Sequence, residues 1–191
     1  MCQIRLSFIK WYRIKIKGAD ILNGKLRIAC NLPLPYPEVC VSAPNANYAR
    51  LLSTAYAGDG GELSAILQYT YGHIVTENAE PAQLSAVLSC VSMTEMRHLE
   101  ILGELIYKLG GDPKFCDMQR RGCFDASKVN YQTSPDRVLR AGIAGEKAAI
   151  AMYRDLIRRI DDSCIREMLR RIILDEEHHI KIFSELLGTA R

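Results

Sequence analysis

Residues 174–180 read LDEEHHI, and the fold turns on which of their acids and histidines face inward. Asp175/His178 and Glu176/His179 both have i, i+3 spacing. The seam of a bundle helix is filled at alternating steps of three and four. Traced from this stretch, that series is Ile165, Leu169, Ile172, Glu176, His179, Phe183, Leu186. Glu176 and His179 therefore sit on the aliphatic stripe, and Asp175 and His178 one position off it. The stretch TEMRHLE at 94–100 behaves the same way, within Leu84, Leu88, Val91, Glu95, His98, Leu102, Leu105, Leu109. A third series is Leu139, Gly142, Glu146, Ala149, Tyr153, Leu156, Ile160. Glu62, followed by Tyr69 and His73, supplies the fourth.

Working outward, the periodicity predicts helices at 46–76, 81–110, 135–160 and 162–187. Pro81 and Pro135 suit first-turn positions, with Ser134 as an N-cap. Gly110-Gly111 and Gly188 suit helix C-termini. Gly58, Gly60 and Gly61 weaken the first helix and could mark a kink or a close approach. Short links join the first and second helices, and the third and fourth. Residues 111–134 form a long link. The prediction is an all-α four-helix bundle of two antiparallel hairpins with one long crossover, over residues 46–191.

Residues 1–45 have a different texture and form a separate N-terminal extension. RIKIK and KLRIA flank a GADILNG turn, which suggests a short hairpin, and Pro33, Pro35, Pro37 and Pro44 follow. Of the formal net charge of +3, residues 1–28 carry seven basic side chains and one acid, leaving the body mildly acidic. One reading is a basic arm for an anionic partner. The plainer one is a partly ordered extension or an upstream start of translation. The charge argues for no nucleic acid, and no window approaches the roughly 18 apolar residues of a membrane span. Apolar residues make up 48% of the chain, enough for a true core and too many for a disordered one. Seven cysteines at irregular spacing, with no CxxC and no signal-peptide core, are expected to be reduced cytoplasmic thiols. Cys90 is expected to be a packed thiol.

The chemistry lies where the stripes are broken. Four carboxylates and two imidazoles would meet at one level of a core whose seam carries no Lys or Arg. A buried, unpaired carboxylate costs several kcal/mol, often enough to force its protonation. Two divalent ions would balance four carboxylates and take two neutral imidazoles as ligands. One Glu from each of two helices, with Glu-x-x-His from the other two, is the di-iron or dimanganese carboxylate pattern. His73 is read as core or surface rather than ligand.

At GDGGELSAILQYTYGH (58–73), TEMRHLEILGELIYKLGG (94–111), AGEKAAIAMYRDLI (144–157) and DEEHHIKIF (175–183), the chain resembles the ferritin-like superfamily. Within it, the rubrerythrins and manganese catalases are the most similar. The resemblance implies that Glu62 and His98 are terminal ligands of one metal, and Glu146 and His179 of the other, with Glu95 bridging. Glu176 would be the second bridge on the di-iron pattern, or a proton-transfer base beside the metals on the manganese-catalase pattern. It further implies two iron ions per chain, with two manganese ions as the alternative, and a homo-oligomer, dimer or larger.

The expected function is a di-iron, rubrerythrin-like oxidoreductase that reduces hydrogen peroxide. Dimanganese catalase and ferroxidase or iron storage, with dioxygen as the oxidant, are the alternatives. A peroxidase would need an external electron donor such as a rubredoxin. The chain departs from the rubrerythrins at Ala149, where many carry an additional Glu, and in having no fused rubredoxin. Tyr69 and Tyr153 could hydrogen-bond the Glu ligands or bound oxygen. Asp175 is expected to orient His98 across the bundle, and Thr94, at the matching position, to serve His179 more weakly.

Overall fold

The computed structural model describes residues 19–22 and 25–189, with side chains from residue 29 onward. The elements are β1 (Ala19–Leu22), β2 (Lys25–Ile28), α1 (Ala46–Ala57), α2 (Glu62–Val75), α3 (Leu84–Lys108), β3 (Cys116–Asp117), β4 (Gly122–Cys123), α4 (Pro135–Arg159) and α5 (Ser163–Thr189). A 3-10 turn, Ala126–Lys128, lies in the crossover between β4 and α4. Helices α2 and α3 pack as one antiparallel hairpin, α4 and α5 as the other, and α1 extends the first pair. The four-helix architecture, two antiparallel hairpins joined by a long crossover, follows from the stripes read in the sequence. Every residue of the α3 and α5 series is buried, including the two Glu and two His.

The first predicted helix is two helices. Gly58, Asp59, Gly60 and Gly61 separate α1 from α2, with Gly60 at φ +74°. That left-handed conformation favours glycine. A Cβ on Gly61 would lie 2.5 Å from the Ala55 carbonyl oxygen, so the chain turns where only a bare backbone fits. The break places Glu62 at the first residue of α2, where a carboxylate meets the positive end of the helix dipole.

Other boundaries shift modestly. Pro81 follows a cis peptide bond and precedes α3, which begins at Leu84. Ser134 is the N-cap residue of α4, with Pro135 next, but its side chain makes no capping hydrogen bond. Gly110, at φ +84°, ends α3 as expected. Gly188 lies inside α5, so it is not a terminator. The predicted hairpin exists, but Ala19–Leu22 is itself a strand, paired with Lys25–Ile28, rather than part of the turn. Residues 1–18, which carry most of the basic arm, lie outside the described residues.

The largest correction concerns the cysteines. Three disulfides link Cys30 to Cys90, Cys40 to Cys164 and Cys116 to Cys123. The first two join positions 60 and 124 residues apart, so local spacing carried no trace of them. Cys90 is a bonded half-cystine, not a packed thiol, and the argument from cysteines to a reducing compartment falls. No helix among the described residues is long and apolar enough to cross a membrane.

These two long-range disulfides fasten the Pro-rich segment to the bundle. Residues 30–43 run as an irregular strap across α3 and α5. Between the cysteines, the Leu32 amide donates to Asp175 at 2.8 Å, and just beyond Cys40 the Ser42 amide donates to Asp162 at 2.7 Å. Arg171, buried beneath the strap, donates to the Leu34 carbonyl at 2.8 Å and the Leu32 carbonyl at 3.1 Å.

Closing a long loop removes entropy from the unfolded chain. Replacing Cys40 and Cys164 together by Ser is therefore expected to lower unfolding free energy by about 2–5 kcal/mol. Denaturant titration of the variant beside the oxidised parent measures this; equal stability would show that the bond contributes nothing.

Candidate metal centre

Each of four helices brings a carboxylate to the same level of the core. Glu62 comes from the first turn of α2, Glu95 and His98 from mid-α3, Glu146 from α4, and Glu176 and His179 from α5. All six side chains are buried, both imidazoles completely. Helical spacing does the local work, since i, i+3 puts each Glu and its His on one face.

Both imidazoles point Nδ1 into the carboxylates. His98 Nδ1 lies 2.9 Å from Glu95, 3.2 Å from Glu176 and 3.8 Å from Glu62. His179 Nδ1 lies 3.0 Å from Glu176, 3.1 Å from Glu95 and 3.6 Å from Glu146. Two four-residue donor sets result, Glu62/Glu95/His98/Glu176 and Glu95/Glu146/Glu176/His179, each with donor atoms within 4.8 Å of one another. Glu95 and Glu176 belong to both sets, as bridging ligands would.

Electrostatics shows why this cluster needs cations. Burial, then the Glu95 and Glu176 charges, push Glu146 up to about 8, and raise Glu62 well above its ordinary range. Burial disfavours charge on His98 and His179, yet the surrounding carboxylates overcome it and raise both well above a free imidazole. Burial would also raise Glu95, but the two imidazoles outweigh it and hold it low. Protons thus stand in for cations in the metal-free protein. They do so incompletely: Glu95 Oε1 and Glu176 Oε1 are buried without a hydrogen bond among the described residues. Each lies near an Nδ1, but one N–H cannot serve two carboxylates. Buried oxygens with spare lone pairs, aimed inward beside imidazole nitrogens, fit two divalent ions. Arg171, the one buried arginine among the described residues, is spent on Asp175 at 2.8 Å rather than on the glutamates.

Two tyrosines cross-link the terminal glutamates. Tyr69 on α2 donates to Glu146 on α4, and Tyr153 on α4 donates to Glu62 on α2. This reciprocal pairing orients the outer carboxylates. A pocket opens between these helices, lined by Gly60, Gly61, Ala65, Gly145 and Ala149 in front of the glutamates. It leaves about 50 Å³ for the centres of water-sized molecules. Small side chains, Ala149 among them, keep that face open.

The outer partners of the imidazoles are unequal. Asp175, fully buried, lies 3.3 Å from His98 Nε2. Thr94 does not take the matching place: its hydroxyl donates to the Cys90 carbonyl at 3.4 Å, one turn back in its own helix. His179 Nε2 has no partner among the described residues. His73 bonds Ser85 at 2.8 Å, and His178 lies 3.1 Å from the Ala29 carbonyl, both away from the cluster. Sequence reasoning missed Tyr36, which donates to Asp175 at 2.5 Å and lies 3.2 Å from His98 Nε2. A tyrosine in an aperiodic Pro-rich segment offered no signal.

A family model described as a ferritin-like domain matches residues 60–191. The chain belongs to the ferritin-like family. Among relatives, Protein CotJC of Bacillus subtilis (strain 168) is 28% identical over 172 residues, covering 80% of this chain and 88% of its own. A probable manganese catalase of Clostridium acetobutylicum is 25% identical over 175 residues, covering 81% and 76%. The solved structure of KatB, a manganese catalase from Anabaena PCC7120, superposes with a TM-score of 0.74 at 28% identity, covering 83% and 79%.

The raised acids and imidazoles set a pH dependence. A group whose pKa rises on folding stabilises the fold at low pH and loses that contribution as pH climbs through its folded value. Glu62, Glu146, His98 and His179 all have this sign. The metal-free protein is therefore expected to lose thermal stability from about pH 5 to about pH 8. Its Mn(II) affinity is expected to rise over the same window, as bound protons are displaced. Thermal melts with and without Mn(II) across that range check both, and a flat affinity would contradict the shared site.

Proposed function

We propose that the chain disproportionates hydrogen peroxide at a two-metal centre of the manganese-catalase kind. The observation that carries this reading is the pair of donor sets sharing Glu95 and Glu176 behind the pocket. Its size suits water, dioxygen or peroxide. The matches named as manganese catalases support the manganese reading, which the sequence had placed second to iron.

Held by Glu62, Glu95, His98, Glu146, Glu176 and His179, two redox-active ions would supply the two-electron chemistry that turns two hydrogen peroxides into two waters and one dioxygen. The protein does the rest. Tyr69 and Tyr153 hold Glu146 and Glu62 in place and keep their charge in a fixed direction. Glu176, within reach of both imidazoles, moves protons if it does not bridge. The small residues at the pocket mouth admit peroxide while the packed core behind excludes bulk water.

A second reading, a di-iron peroxidase, draws on the geometry of Glu176. It joins both donor sets as evenly as Glu95 does, which is the symmetric bridging pattern. The reactions differ in their need for electrons, so oxygen-electrode traces of the manganese- and iron-reconstituted protein separate them. The manganese form is expected to evolve oxygen continuously with no reductant. Peroxide consumption that stops near one turnover unless reductant is added would give the peroxidase reading. No peroxide consumption, with rapid oxidation of ferrous ion, would overturn both in favour of a ferroxidase.

A further inference from the structure

The two halves of the centre are close to symmetric in their ligands and unlike in what holds those ligands. On the Glu62 side, His98 Nε2 lies 3.2 Å from the Tyr36 hydroxyl and 3.3 Å from Asp175 Oδ2. With Nδ1 turned toward the metal position, the imidazole proton sits on Nε2, within hydrogen-bond reach of both oxygens. Tyr36 passes the polarity on, donating its own proton to Asp175 Oδ2 at 2.5 Å. Asp175 is in turn fixed by Arg171 at 2.8 Å and by the Leu32 amide at 2.8 Å. On the Glu146 side, His179 Nε2 is buried and partnerless among the described residues.

Tyr36 is itself held from several directions. The Arg171 guanidinium lies 4.3 Å from its ring centroid, a cation–π contact. The strap that carries it is bonded to α3 through Cys30–Cys90 and to α5 through Cys40–Cys164, so Tyr36 lies between two covalent anchors. A phenol so fixed can set the angle of the imidazole it touches. Outer partners of this kind raise the basicity of a metal-bound imidazole and fix its tautomer.

We propose that Tyr36 is a positioning residue for His98, and that it makes the two metal positions unequal. The ion between Glu62 and His98 is the retained one, and the ion between Glu146 and His179 is released first. The inference rests on the two-metal reading of the site but not on which reaction the centre performs.

The test is metal release from the manganese(II)-loaded full chain challenged with excess EDTA, followed by elemental analysis and electron paramagnetic resonance. The parent is expected to lose its ions in two phases whose rates differ by roughly 10–100-fold. Between the phases, the spectrum of a coupled pair should give way to that of an isolated Mn(II) ion. Tyr36→Phe keeps the ring and its contact with Arg171 while removing the hydroxyl. It is expected to speed the slow phase by roughly 10-fold and leave the fast phase unchanged. Release of both ions in one phase from the parent overturns the inference and leaves the two-metal site intact. So does a Tyr36→Phe variant whose slow phase is unaltered, or whose two phases quicken equally. Failure of the parent to bind two ions would remove the site reading and this inference with it.

Discussion

Four carboxylates held at one level of a dry core repel one another, and everything distinctive about this chain answers that repulsion. Bundle packing buries them because each occupies a seam position that would otherwise hold an aliphatic residue. Protons relieve the repulsion in part, which is why Glu62 and Glu146 are pushed up and both imidazoles hold on to charge. Two divalent ions would balance all four charges. The tyrosine cross-links, the shared glutamates and the small residues at the pocket mouth all serve that same few cubic ångströms.

The bundle has an open side and a closed side. On the open side, glycines and alanines of α2 and α4 and the turn before α2 leave a pocket in front of the glutamates. On the closed side, α3 presents His98 with its back to the strap, and Asp175 of α5 lies under the same segment. The strap also explains how a fully buried Asp175 can stay ionised. Burial opposes the charge, but His98, Tyr36, Arg171 and the Leu32 amide together hold its carboxyl well below the usual range. An acid one step off the seam would ordinarily face water; here a segment from the other end of the chain covers it.

Periodicity made the six inward residues legible, because a register that never slips leaves only one face for a glutamate to occupy. The choice of Glu176/His179 over Asp175/His178 came from that register alone, and the structure places them accordingly. The break at Gly58–Gly61 was visible as weakness but not as a turn, since the clash that enforces it is with the Ala55 carbonyl of a neighbouring turn. The strap was illegible for a different reason. Its contacts are made by backbone amides, carbonyls and two disulfides to residues up to 143 positions away, and none of these leaves a period in the sequence. Thr94 misled because the echo between α3 and α5 stops at the ligands. One helix has an acid before its Glu and the other a hydroxyl that bonds its own backbone.

The most direct test of the two-metal account is anomalous scattering from crystals of the loaded protein, recorded at the manganese and iron edges. The account expects two peaks roughly 3.5–4 Å apart. Both should lie between Glu95 and Glu176, one beside Glu62 and His98 and the other beside Glu146 and His179. A single peak, or peaks away from these six side chains, would contradict it.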